Sequence, residues 1–185
     1  FALYKKEMGR FLSSYMAVLN VGFGVILLCV FSIFLLFNSV EQIGESSGIG
    51  NINEYLSNFA PLFIASMLSL SCPAASAISL EGKNIWILQS SPVKVKMILN
   101  SKTAVNLTLH LIGYMISIFA FMLKLDMNFI QAINLIIVPI CYSIFITVIG
   151  ISLNKKYPNY EWESEMMVVK QSINVPITNK LEKNY

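Results

Sequence analysis

The sequence predicts an all-α fold that crosses a lipid bilayer several times, and three observations predict it. Hydrophobic residues fill 56% of the 185 positions and charged residues only 12%, about half the charge of an ordinary soluble domain. The apolar residues gather into four runs of spanning length, which a soluble helical bundle does not explain. Lysine and arginine fall almost wholly on alternate connections between those runs, the asymmetry that sets orientation in a membrane.

The N-terminal arm, residues 1–14, reads as an amphipathic helix lying in the membrane interface. Phe1, Tyr4, Met8, Phe11 and Leu12 fall near one face, with Lys5, Lys6 and Arg10 elsewhere. The transmembrane region is expected over 15–153. Its first span, 15–37, holds fifteen Val, Ile, Leu and Phe residues, together favouring insertion by very roughly 5–9 kcal/mol as an upper bound. Asn20 does not overturn that preference.

The second span, 59–80, is rich in Ala, Ser and Cys, residues that let helices approach closely in lipid. Pro73 sits within it and is expected to kink the helix, leaving the Ser69 carbonyl without its usual donor. That helix is expected to face protein or a polar cavity. The third span, 104–123, carries Asn106, Thr108 and His110 near its start. A tight turn over 124–128 leads to the fourth span, 129–153, which contains Pro139. So short a turn makes the last two spans antiparallel neighbours.

Twelve of the thirteen Lys and Arg residues lie in the arm, in the connection after the second span and in the tail, residues 154–185; Lys124 is the exception. Both ends of the chain are therefore expected in the cytoplasm, with a cell-membrane, multi-pass location. The connection over 81–102 mixes charge with Ile85, Trp86, Ile87 and Leu88. Ser91 and Pro92 read as a helix start. From composition alone this connector suits either a docking surface or a segment whose aromatics rest among lipid head groups.

Several chemistries lack support. Gly44-Glu45-Ser46-Ser47-Gly48 matches G-x-S-x-G, but in a short external loop away from the single histidine. There is no H-E-x-x-H, no paired intramembrane carboxylate and no G-x-x-x-x-G-K-[ST]. Cys29, Cys72 and Cys141 match no metal or redox spacing. His110 is read as a structural hydrogen-bonding residue in preference to a proton carrier. The expectation is no catalytic residue, no metal and no cofactor bound by this chain. Nucleic-acid binding lacks the basic, aromatic-laced stripe it needs. The chain opens on Phe1 and shows no signal peptide; a piece of a longer protein is expected.

Residues 77–88, Ala-Ile-Ser-Leu-Glu-Gly-Lys-Asn-Ile-Trp-Ile-Leu, followed by Ser91-Pro92, resemble permease subunits of ABC-2 type ATP-binding-cassette transporters from low-GC Gram-positive bacteria. The segment Tyr157-Pro158-Asn159-Tyr160-Glu161-Trp162-Glu163, with Val168-Val169-Lys170-Gln171-Ser172, is similar to the same family. The resemblance implies a helical transmembrane domain, an interfacial arm and a cytoplasmic coupling loop that docks on a separate ATPase subunit. On this chain the coupling loop falls on Glu81, Gly82, Lys83, Asn84, Ile85, Trp86, Ile87, Leu88 and Pro92. Trp86 and Ile87 would fill a groove on the ATPase, while Glu81 and Lys83 orient the contact. ATP and Mg would belong to the partner. Further permease spans, or a second permease copy, are implied as well, since family members continue beyond this length. The alternative is a non-transporting membrane scaffold or assembly protein that binds a cytoplasmic partner through 81–102.

Overall fold

The computed structural model describes residues 1–40, 44, 48, 52–90, 92–158 and 160, except for the side chains of Met16, Asn20, Lys83, Ile87, Leu88 and Gln89. The centre of the G-x-S-x-G match, Ser91 and nearly all of the tail lie outside the described residues. Among the described residues regular structure is entirely helical. In chain order it comprises α1 (Ala2–Ser13), α2 (Tyr15–Val21), α3 (Phe23–Phe37), α4 (Ile52–Leu70), two 3-10 turns (Pro73–Ala75 and Ser79–Asn84), α5 (Ile85–Ser90), α6 (Val95–Lys124) and α7 (Phe129–Lys156).

Three helical stretches are long and apolar enough to cross a membrane: Ile52–Gly82, Val95–Lys124 and Phe129–Lys156. The expected first span is not a single helix. It divides at Gly22, whose N–H closes α2 on the Val18 carbonyl at 2.9 Å. Glycine is a poor helix interior residue, and the break leaves α3 with 15 residues. At 1.5 Å per residue that is about 22 Å, short of the roughly 30 Å hydrocarbon layer.

The second span also departs from expectation. Pro73 does not kink a continuous helix; α4 stops before it, at Leu70. A residue preceding proline is driven from the helical region, and Cys72 accordingly sits at φ −122°, ψ 80°. The Ser71 N–H then closes on the Leu68 carbonyl at 3.0 Å, a tightened last turn. Ser69 bonds back to the Ala65 carbonyl at 2.8 Å. Pro61 and Pro139, by contrast, lie within helices α4 and α7. In the connector the helix begins at Val95, not at Pro92. The Lys94 carbonyl takes the first turn's N–H groups from Met97 and Ile98, and Pro92 stands exposed in the preceding bend.

The chain forms two compact units. One comprises Phe23–Ser71 and Leu109–Ile144. Its core is Leu28, Leu35, Ile64, Leu68, Phe121 and Leu135, all essentially sealed from solvent. Phe31 meets Phe63 at 4.6 Å between ring centroids. Gly24 lets α3 approach α4, since a β-carbon there would stand 2.1 Å from the Met67 carbonyl oxygen. His110 lies between Ser143, at 2.8 Å, and the Ser71 carbonyl. Tyr114 donates to the Ile136 carbonyl at 3.1 Å. These two pairings run in opposite chain directions, so α6 and α7 are antiparallel neighbours here. Phe129, Ile130, Ile133, Ile137, Ile140 and Ile144 remain exposed along α7. A run of that kind suits contact with lipid and not with water.

The other unit comprises Phe1–Gly22, Cys72–Thr108 and the described residues from Phe145 on. It holds the arm, both 3-10 turns, α5 and the connector, and it carries the candidate site.

Candidate functional site

Residues 72–84 form no α-helix, and their 3-10 turns satisfy only part of the backbone, so the remaining groups need partners from elsewhere in the unit. Two buried asparagines supply them. Asn154 on α7 accepts from the Ile78 and Ser79 N–H groups at 2.7 and 3.1 Å and donates to Ser79 Oγ at 2.6 Å. Asn106 on α6 accepts from the Ala74 N–H at 3.3 Å and donates to Thr147 Oγ1. Non-helical backbone at membrane depth is tolerated only where protein satisfies it in this way. Gly150 adds the room: a β-carbon there would stand 2.8 Å from Cys72 Sγ and 3.2 Å from the Ala75 nitrogen.

Gly82 then redirects the chain. It lies at φ 53°, ψ −138°, a region open to glycine and strained for other residues. Before it, Glu81 points inward; after it, the short helix α5 presents Trp86 outward, 63% exposed. Large exposed aromatics are common anchors of binding surfaces.

Glu81 is held by two cations. Its Oε1 accepts from Lys102 Nζ at 2.5 Å and its Oε2 pairs with Arg10 Nη1 at 2.6 Å. Lys102, on the first turns of α6, also donates to Glu7 Oε2 at 2.8 Å and to the Ala77 carbonyl at 3.0 Å. An ammonium has three protons, so Lys102 is saturated. The network joins the arm, the 3-10 segment and α6 through side chains that, apart from Arg10, are almost fully buried. Tyr4 adds a further tie, donating to Thr108 Oγ1 at 3.1 Å.

The residues expected to form a coupling loop are thus divided. Glu81 and Gly82 are buried; Glu81 faces the interior and not the outer contact it was expected to orient. Asn84, Trp86 and Pro92 are exposed, and Ile85 is half-buried. The side chains of Lys83, Ile87 and Leu88 lie outside the description. The arm is helical over Ala2–Ser13. Phe1 and Leu12 are exposed, whereas Glu7 is its buried residue. Glu7, Lys102, Asn106 and Asn154 are the positions that sequence reasoning missed as a set. The available signal was a lysine closing an apolar connector, a carboxylate among the basic residues of the arm, and asparagines towards the ends of two apolar runs.

Searches of curated proteins and of solved structures give no match. A family model described as "Putative ATP-binding cassette" matches residues 56–170, more than half the chain. The matched region takes in most of α4, both 3-10 turns, α5, α6 and α7. Its description names an ATP-binding component, although the sequence carries no G-x-x-x-x-G-K-[ST] loop. On the extent of that match, the chain belongs to this ATP-binding-cassette family.

Proposed function

We propose that the chain is the membrane-spanning permease component of an ABC-2 type transporter, or a piece of one, which couples ATP hydrolysis by a separate ATPase subunit to substrate movement. The observation that carries this reading is the pairing of an exposed Trp86 with a buried, doubly bonded Glu81 on either side of Gly82. A docking segment must present an anchor outward and be held firmly from within. Otherwise motion of the partner is absorbed locally and does not reach the spans.

In this reading α3 completes a fourth, short crossing with local thinning of the bilayer. Both ends of the chain lie in the cytoplasm of a cell-membrane protein. ATP and Mg are bound by the partner, no residue of this chain makes or breaks a covalent bond, and further spans or a second permease copy complete the pathway. Membership of an ATP-binding-cassette family supports the link to ATP-driven transport, and the absence of a P-loop supports a role beside the ATPase and not as the ATPase.

The test is co-purification with P-loop ATPases of the cell that makes this chain, together with the ATP turnover of any retained ATPase in nanodiscs. The wild-type chain should retain the ATPase and raise its turnover. Trp86→Ala should lose retention about ten-fold or more, as for an aromatic anchor, with membrane insertion unchanged. Retention without any effect on turnover would instead support the scaffold reading.

A further inference from the structure

We propose that a cavity beside Lys102 is a binding site for the hydroxyl head group of an uncharged amphiphile. This rests on the geometry of one unit and on a membrane location, and it stands whether or not the chain is a permease.

The buried charges here are unevenly satisfied. Lys102 gives its three protons to Glu7 Oε2, Glu81 Oε1 and the Ala77 carbonyl. Arg10 engages the second oxygen of Glu81. Among the described residues Glu7 Oε1 and Ser76 Oγ are then buried without a hydrogen-bond partner. Their residues are only 7% and 3% exposed. Both line a single cavity of about 50 Å³. Phe11, Val21, Leu80 and Val105 supply apolar wall to the same cavity.

These two atoms set the chemistry that a ligand of the cavity must carry. A carboxylate oxygen only accepts, so its partner must donate; a serine hydroxyl both donates and accepts. A hydroxyl group meets both needs. Charge narrows the choice further. Glu7 and Glu81 are balanced by Lys102 and Arg10, so an anionic head would meet an unshared carboxylate oxygen, and a cationic head would add a third positive charge. An uncharged hydroxyl disturbs neither. The apolar wall calls for alkyl groups behind that head. A water needs about 10–15 Å³ of such space, so the cavity has room for a few non-hydrogen atoms, a hydroxyl and its first carbons, while the rest of the chain lies outside.

The experiment uses the full chain in phosphatidylcholine nanodiscs. Three photoactivatable probes carry the same diazirine acyl chain, one as a diacylglycerol, one as phosphatidic acid and one as an alkylamine. Adducts are mapped by mass spectrometry. The diacylglycerol should label residues 11–21 and 73–80 in preference to the other two. Ser76→Ala, which adds no bulk, should weaken that labelling about five-fold, the effect of one lost hydrogen bond. Ser76→Leu should abolish it by filling the cavity, with helicity checked by circular dichroism. Equal labelling by all three probes, preference for the phosphate or amine head, or labelling unchanged in Ser76→Ala would overturn the assignment. Absence of labelling in these segments by any probe would mean that water alone occupies the cavity, and would overturn it as well.

Discussion

Glu81 Oε1 lies 2.5 Å from Lys102 Nζ, with neither side chain more than 5% exposed. The pair bolts the 3-10 segment before α5 to the first turns of α6, and Glu7 joins it from the arm. Removing one member of a buried ion pair leaves the other uncompensated, at a cost of roughly 3–5 kcal/mol. Lys102→Met should therefore lower the thermal stability of the detergent-solubilised chain strongly, since it strands Glu7 and leaves Glu81 with Arg10 alone. Adding Glu7→Gln and Glu81→Gln to Lys102→Met should recover part of the loss. A single variant as stable as the wild type would remove the network from the stability of this unit.

Asn154→Leu should expose a different weakness. It deprives the Ile78 and Ser79 N–H groups of their acceptor, each worth about 1–3 kcal/mol when left buried and unpaired. Hydrogen exchange at those two amides should accelerate while the core around Leu28 and Leu135 stays protected. Unchanged exchange at Ile78 and Ser79 would show that Asn154 does not hold the segment.

Two glycines give opposite expectations for the same change. Gly150→Ala places a β-carbon 2.8 Å from Cys72 Sγ and 3.2 Å from the Ala75 nitrogen, an overpacking cost of about 1–3 kcal/mol. Gly9→Ala meets nothing within 4 Å on α1 and should gain up to about 1 kcal/mol of helix propensity. Thermal unfolding of both variants checks the contrast, and a neutral Gly150→Ala would contradict the close approach of 72–75 to α7.

Much of the helical content was legible because long apolar runs dictate it, as over α6 and α7. The turn between those helices was legible from its brevity. What escaped the sequence depends on partners distant along the chain. The backbone of 72–84 leaves helix because Pro73 ends α4 and because Asn106 and Asn154, 32 and 76 residues further on for their first bonds to it, satisfy its N–H groups. A local reading sees only a proline in an apolar run and expects a kink. In the sequence Lys102 counts only among the basic residues of the connector and Glu7 has no assigned role, since burial of a carboxylate depends on which cation the fold brings to it. Glu81 was visible as a member of the connector; its inward direction follows from the left-handed turn at Gly82 and from Arg10.

The orientation across the membrane makes its own prediction. In intact cells an impermeant maleimide should modify a cysteine placed at Ser47 and spare one placed at Ser90. The reverse pattern would invert the topology and move α5 away from any cytoplasmic partner.

The most direct test of the coupling role is a photo-crosslinking amino acid at position 86, with the chain expressed in its native cells. Irradiation should join this chain to the ATPase, and the yield should fall when Glu81→Ala releases the segment from Lys102 and Arg10. Adducts to lipid alone, with no ATPase captured in the presence of ATP or in its absence, would contradict the account and return α5 to the role of a membrane-surface connector.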